Sequence, residues 1–464
     1  MSKDYEYDVI IIGAGPSGIF ASMELIKNKD VKILLIDKGF HLSKRECKSQ
    51  AEQRECIRCQ PCAITCGWGG AGAFSDGKLT LTASFGGLLN EYLAPAILDN
   101  YIEEIDAIYL KFGAGDVIFG QDDQAIGKMY RLAAASGLSL MPAKIRHMGT
   151  ENCYHILKKM HDYLTDKVDI RMNTSVSEII SRDNKAQGVR LTSGEEVLAK
   201  YVICGAGRAG ADWFYQESKR LGLEGSNNPV DIGVRVEVPA AIMEDITSVI
   251  YESKLIYFTN KFDDRVRTFC MNPNGVVVTE NYDGLVTVNG HSYAESKSEN
   301  TNFAILVSKS FTKPFREPVR YGKYIASLAN MLGEGVIVQR LGDLLMGRRS
   351  TPERIQRGFI NPTLQKATPG DLSLVLPYRY MVGIIEMIEA LDRMVPGIKS
   401  RHTLLYGVEV KFYSYRYPVN ASMETSISNL YMVGDGSGVT RGLIQSSVAG
   451  TIAARDIRRQ IEGL

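Results

Sequence analysis

The chain has 464 residues, 45% hydrophobic and 23% charged, ordinary globular values that exclude disorder, collagen and coiled coil. Its 54 Lys and Arg against 53 Asp and Glu leave a formal charge of +1, so no basic excess exists to hold a phosphate backbone, and nucleic acid is excluded as the main partner. No apolar run approaches the ~18 residues that span a bilayer, and at about 150 residues per domain the length argues for roughly three units.

The segment Met1–Tyr7 runs straight into an apolar strand, without the charged, apolar and small-residue succession of a secretion signal. The reading is cytoplasmic. Eight cysteines in a reducing compartment then point to metal or redox work rather than disulfides. Asp8–Ile12 is a β-branched run suited to a strand buried on both faces. Gly13, Gly15, Pro16, Ser17 and Gly18 follow in a GxGxxG pattern, then a helical stretch Ile19–Lys27, then a second apolar strand Lys32–Ile36 that ends at Asp37 and Lys38. Gly13 permits the tight turn, Gly15 lets backbone approach a pyrophosphate, and Gly18 lets helix and strand pack closely. The helix N-terminus offers N–H groups and partial positive charge to the anion. Asp37, 24 residues after Gly13, suits an adenosine ribose. The motif predicts dinucleotide binding and leaves FAD and NAD both open.

Within the cysteine-rich stretch 47–78, Cys56, Cys59, Cys62 and Cys66 fall within eleven residues, with Pro61 among them. The spacing matches the ferredoxin run for a [4Fe–4S] cluster, and soft thiolates select iron–sulfur or zinc. Structural zinc usually takes two CxxC pairs set well apart, and none stands at a distance here. The fourth ligand is either Cys66 or the nearby Cys47; free or redox-active thiols are the remaining reading. Directly after come Gly67, Gly69, Gly70, Ala71, Gly72, Ser75, Asp76, Gly77 and Lys78, interleaved with Trp68 and Phe74. Five glycines in eleven residues cannot form a regular element, and the aromatics argue against a linker. The loop suits backbone wrapped around a cofactor.

Ile170–Val197, including Val176, reads as a β-meander with turns at Arg182-Asp183-Asn184 and Ser193-Gly194. A third glycine cluster with Gly205, Gly207 and Gly210 follows the strand Tyr201–Cys204. It is either a separate NAD(P) fold or, as we favour, a strand returning to the first domain and passing the adenine half, because no apolar strand precedes Glu224. A second domain is expected to draw its sheet from Asp231–Val238, Leu255–Phe258, Arg265–Met271, Gly275–Glu280 and Leu285–Val288, with helices Tyr321–Leu332 and Met381–Met394 packed on it. Arg235 and Glu237 alternate onto one face, which reads as solvated. Glu409, Lys411 and Tyr413 share the far face of another alternating strand; a Lys or Tyr there could donate a proton to a reduced substrate, although paired charges on an exposed strand are the plainer reading. His291 and His402 read as structural, Cys270 as a buried apolar thiol, and Gly347–Ser350 as a solvated arginine pair able to take an anion.

Near the C-terminus a short apolar strand ends in Gly434-Asp435, and after a glycine turn a long helix runs from about Leu443 to Gln460. This resembles the second FAD-binding motif of two-dinucleotide-fold flavoproteins. By that resemblance Asp435 holds the ribityl chain, and the helix start at Gly442, Leu443 and Ile444 faces the flavin pyrimidine edge, where its dipole favours negative charge.

Taken together, GAGPSG, the cysteine run, GGAGAFSDGKL, VDIGVRVEVP, FCMNPNGVVV, VNGHS and VGDGSGVTRG resemble the FAD-dependent dehydrogenases of anaerobic bacteria, also described as NAD(P)/FAD-dependent oxidoreductases. The resemblance spans almost the whole chain and implies redox chemistry without a defined substrate. Where our picture of the family has a second cysteine and a glycine in the FCMNPNG segment, this chain has Asn272 and Asn274. The implied fold is α/β: a glutathione-reductase-like, Rossmann-type FAD domain from about 1–85, 165–215 and 415–464, with an inserted α+β substrate domain from 86–164 and 216–414. The leading expectation is an FAD oxidoreductase of a small organic substrate whose [4Fe–4S] cluster relays electrons from a carrier such as ferredoxin or NAD(P)H. The alternatives are an NAD(P)H-dependent flavin reductase with redox thiols and no cluster, and a flavoprotein of RNA modification or assembly.

Overall fold

The computed structural model describes residues 5–48, 57, 59–75, 77–282, 284–293, 297–315, 317–412 and 415–464. It divides into two compact units: Met1–Val117, Arg146–Asn228 and Tyr413–Leu464 form the first, Ile118–Ile145 and Pro229–Phe412 the second.

The first unit is built on a parallel sheet. Asp169–Arg171, Ile33–Ile36, Tyr7–Ile12, Glu196–Cys204 and Leu430–Met432 lie side by side in that order. The β-branched runs fit because these strands are buried on both faces; Val9, Ile10, Ile11, Leu34 and Leu35 have no exposed surface. The strand Glu196–Cys204 serves twice. Its first residues pair antiparallel with Lys185–Leu191, which pairs with Val176–Arg182, and its last residues run parallel to the first strand. That is the expected meander from Val176 on; Ile170, where it was expected to begin, lies instead in the parallel strand Asp169–Arg171. Its tight turn holds Asp183 and Asn184 at φ 51° and 55°, the left-handed pair a two-residue hairpin requires.

Two helices fall outside the expected first-domain bounds. Pro95–Lys111 and Thr150–Leu164 belong to the first unit by contact, not to the inserted domain. The reason is their apolar faces: Leu98, Ile102, Ile105 and Tyr109 of one, and Ile156, Met160 and Leu164 of the other, are buried in the same core as Val9 and Ile11. The helices Pro16–Leu25 and Leu443–Glu462 cross at that core, and Gly450 leaves room for the main chain of Ser17.

The second unit is an eight-stranded, mostly antiparallel sheet. Its centre is Leu404–Lys411, Val230–Pro239, Asn300–Lys309 and Arg265–Asn272. Helices Pro318–Gly333 and Tyr378–Met394 bury apolar faces in the same core as Ile232, Val234, Val236, Ile305 and Val307. A separate hairpin, Val276–Tyr282 with Leu285–His291, completes it. The strand Asn300–Lys309 is absent from the sequence reading although Phe303–Val307 is a continuous apolar run, which periodicity alone cannot separate from a buried helix turn.

Candidate functional site

At one end of the parallel strands the first unit gathers loops from distant parts of the chain. The first strand ends at Gly13, whose φ is +102°, and a Cβ there would overlap the carbonyl oxygen of Gly205. The helix Pro16–Leu25 then starts with Gly15 as its N-cap and no side-chain cap. Gly205 receives the turn from the neighbouring strand through its N–H to Ile12 O (2.8 Å). The third glycine cluster thus lies directly beside the first and leads through Ala211–Arg220 out of the sheet, as a returning strand should. Gly434 and Gly436 stand next to Ser17 and Gly207. Three strand ends therefore close on one helix N-terminus.

The glycine loop after the cysteines covers this end. Gly69 N–H donates to Ala14 O (2.7 Å), and Gly70 Cα lies 3.9 Å from where a Gly15 Cβ would stand. Gly70–Phe74 is a short 3₁₀ turn that includes Ala71 and Gly72; Ser75 Oγ donates to Gly72 O (2.9 Å), and Lys78 opens the next strand. Gly77 has φ +69°. Asp76 lies outside the described residues.

Asp37 does more than the sequence reading asked of it. One carboxylate oxygen accepts from Gly39 N–H (2.7 Å) and Gly67 N–H (2.9 Å), the other from Ala14 N–H (2.8 Å). Of its roughly four acceptor positions, about one is left for a ribose hydroxyl. Lys38 Nζ reaches Ala209 O (2.9 Å), and Val176 is buried at the head of the meander.

At the C-terminal side, Asp435 accepts from Ser446 Oγ (2.8 Å), Thr440 Oγ1 (3.1 Å) and Gly442 N–H (3.4 Å). Leu443 and Ile444 begin the last helix, which has no side-chain cap. Together with Thr80, Phe85, Gly86, Arg441 and Gln445 they line a small cleft. Gln445 Nε2 donates to Phe85 O (3.2 Å), while its buried Oε1 has no hydrogen-bond partner among the described residues. A buried acceptor without a donor costs about 1–3 kcal/mol, so this cleft is chemically incomplete as it stands. An FAD fits the unit on these grounds: glycine backbone at a helix N-terminus, and an unpaired acceptor at the second helix start.

The described cysteines differ in exposure. Cys59 is exposed, Cys62 and Cys47 half-buried, and Cys66 buried; Cys56 lies outside the described residues. Burial pushes the Cys66 thiol up, against the pull of Thr65 and Lys38. Among the described residues no three His, Cys, Asp or Glu side chains are grouped as metal ligands.

In the second unit the face read as solvated is buried. Arg235 and Glu409 are both fully inside, joined by Nε to Oε2 (2.8 Å) and Nη2 to Oε1 (3.0 Å). Arg235 Nη1 also donates to Asn302 Oδ1 (2.7 Å) and Cys270 O (3.1 Å). Burial works against the Arg235 charge, but Glu409 and Cys270 outweigh it and its pKa is raised. Lys411 Nζ lies 3.1 Å from Glu409 and 3.7 Å from Glu280. Glu237 accepts from Thr363 Oγ1 and Tyr406 Oη, each at 2.5 Å; burial pushes its carboxyl up despite these donors. The alternation was right and the solvation wrong, because the sheet is covered where its charges face. Tyr413 lies outside the described residues. Cys270 is half-buried, not inside, at φ +47° within an irregularity of its strand. In Gly347–Ser350, Arg348 and Ser350 are tied to the buried Asp343, together with Arg340.

Residues 229–412 match the family described as FAD-dependent protein, C-terminal domain-like. That range is the core of the second unit. An uncharacterized protein of Clostridium beijerinckii is 26% identical, over 97% of this chain and 80% of its own. Among solved structures, L-proline dehydrogenase from P. horikoshii is similar at 11% identity and TM-score 0.43, covering 99% of this chain and 94% of that one. Glycine oxidase from Geobacillus kaustophilus is similar at 13% identity and TM-score 0.40, covering 98% and 95%. The fold itself is α/β: a parallel sheet extended by an antiparallel meander, plus a second unit with a mostly antiparallel sheet, the unit that carries the FAD-dependent protein match. No helix among the described residues is long and apolar enough to cross a membrane.

Proposed function

We propose that the protein is an FAD-dependent oxidoreductase of a small organic substrate, with FAD in the glycine-lined end of the first unit. The observation that carries the reading is the convergence of Gly13–Gly18, Gly67–Gly72, Gly205–Gly207 and Gly434–Ile444 on one end of the parallel strands. Bound there, FAD supplies two-electron redox chemistry. Gly15, Pro16, Ser17 and Gly18 would take the pyrophosphate at the helix N-terminus, where main-chain N–H groups and the dipole favour an anion. Asp37 and Lys38 would face the ribose, and Gly205, Gly207 and Val176 the adenine side. Gly69, Gly70, Ala71, Gly72, Ser75, Gly77 and Lys78 would cover the cofactor. Asp435 would hold the ribityl chain, its orientation fixed by Thr440 and Ser446. In the second unit Lys411, held between Glu409 and Glu280, is the candidate for moving a proton there, with Glu409 also held by Arg235.

The spacing of Cys56, Cys59, Cys62 and Cys66 supports a [4Fe–4S] site. The second reading of the same thiols is redox-active cysteines with electrons delivered by NAD(P)H. Iron and acid-labile sulfide analysis of anaerobically purified protein separates the two. Less than one iron per chain leaves the thiol reading, which rapid flavin bleaching by NADH or NADPH would then support; bleaching by reduced ferredoxin alone supports the carrier. The flavin reading itself is tested more simply. Full-length protein should purify yellow or take up one FAD per chain, and a colourless protein that refuses added FAD overturns it.

A further inference from the structure

Arg45 precedes the cysteine run and belongs to no recognised motif, yet it is only 5% exposed. Its guanidinium donates to four main-chain carbonyls: Nε to Ala63 O (2.9 Å), Nη2 to Ile64 O (2.6 Å) and Gly70 O (2.8 Å), and Nη1 to Trp68 O (2.5 Å). The first two carbonyls belong to the turn between Cys62 and Cys66, which is closed by Cys66 N–H to Cys62 O (3.0 Å). The last two belong to the glycine loop over the proposed cofactor site. The guanidinium also lies over the Phe74 ring, 4.9 Å from its centroid.

The approach is close enough to dictate sequence. Gly67 sits at φ +108°, and a Cβ there would overlap Phe40 O and come 2.9 Å from Arg45 Cδ. From Gly67 the path continues inward through its N–H to Asp37, which also holds Ala14, and through Gly69 N–H to Ala14 O. An unbroken hydrogen-bonded path thus joins the cysteine turn to the first glycine motif. Burial lowers the Arg45 pKa to about 10, opposed most by the nearby Asp37 carboxylate. A planar fork with five donors can hold all four carbonyls from the two segments at once; a lysine ammonium, a point charge with three donors, cannot hold all four.

We propose that Arg45 is a positioning residue that clamps the Cys62–Cys66 turn to the cofactor loop, so that chemistry at these two thiols and occupancy of the FAD site are coupled. The proposal rests on the FAD reading above. Coupling of this kind runs both ways: FAD occupancy must oppose modification of the thiols, and modification of the thiols must weaken FAD binding.

The test uses full-length protein purified in reducing, chelator-containing buffer. Alkylation of Cys62 and Cys66 by iodoacetamide, followed by peptide mass, should slow about tenfold when FAD is added, and alkylated protein should bind FAD about tenfold more weakly. Arg45→Lys and Arg45→Met should bind FAD yet lose the protection to below about threefold, with Cys270 as an internal control for general loosening. FAD binding without protection in the unaltered protein overturns the proposal, as does full protection in both variants. Should neither variant fold, the two factors measured on the unaltered protein decide, and their absence overturns it. If FAD does not bind at all, the flavin reading fails first and is seen to fail separately.

Discussion

In the first unit the candidate site is made of main chain: glycines, helix starts and N–H groups at the ends of parallel strands. In the second unit it is made of charged side chains, Arg235, Glu409 and Lys411, taken out of water on an antiparallel sheet. The two constructions fail differently. A backbone site has no side chain to lose and is broken by adding one methyl group. A charged side-chain site tolerates replacement of both partners and is broken by removal of one.

The largest expected effect lies in the second unit. Glu409→Ala strands the Arg235 guanidinium in the interior and should destabilise folding by about 3–5 kcal/mol. The paired change Arg235→Met with Glu409→Leu should recover most of that, to within about 1 kcal/mol of the parent. Denaturant unfolding of the three proteins measures it; a double variant as unstable as Glu409→Ala would show that the pair is needed for more than charge balance. In the first unit, Gly13→Ala should lower FAD affinity about a hundredfold, equivalent to ~3 kcal/mol, since the new methyl overlaps Gly205 O. FAD titration monitors it, and unchanged affinity would mean that the cofactor does not use this turn.

A smaller effect returns to the second unit. Asp343 is buried, which raises its pKa, but the hydrogen bonds from Arg340, Ser350 and Arg348 outweigh that and hold it at about 2. Because the folded value lies below the unfolded one, the stabilisation is complete above about pH 4 and is lost as pH falls towards 2. The loss should be on the order of 2 kcal/mol. Comparing unfolding at pH 5 and pH 2.5 for the parent and Asp343→Asn isolates it; equal losses in both would assign the acid sensitivity elsewhere. Smallest of all, Asp435→Ala removes the acceptor of Thr440 and Ser446 and should cost about 1–2 kcal/mol in stability. FAD release measured alongside shows whether the ribityl role adds to that.

Much of the framework is legible in the residue pattern. The strands Val230–Pro239, Lys254–Phe258 and Arg265–Asn272 fall within a residue of the alternation that announces them. The glycines at 13, 205 and 434 mark strand ends because only there does the main chain turn so closely. Other features leave no such mark. Alternating charge reads the same whether its face meets water or protein, so Arg235 and Glu409 looked like two solvated positions on separate strands. Register placed them together, Gly233 opposite Glu409 and Arg235 opposite Tyr406 across an irregularity. The helices Pro95–Lys111 and Thr150–Leu164 are amphipathic by sequence, but which core receives an apolar face is not written in the face itself. Arg45 carries no signal at all, since its partners are carbonyl oxygens common to every residue.

The sequence by itself determined where the chain turns, most of the strands, and that a glycine turn leads from a strand into a helix near each end of the chain, because those depend on local conformational freedom and on the period of apolar residues. Only the tertiary structure decided that the loops share one strand end, that the charges of the second unit are buried as pairs, and that an arginine ties the cysteine turn to the glycine loop. These depend on which distant segments meet, and burial, ion pairing and hydrogen-bond partners exist only once they have met.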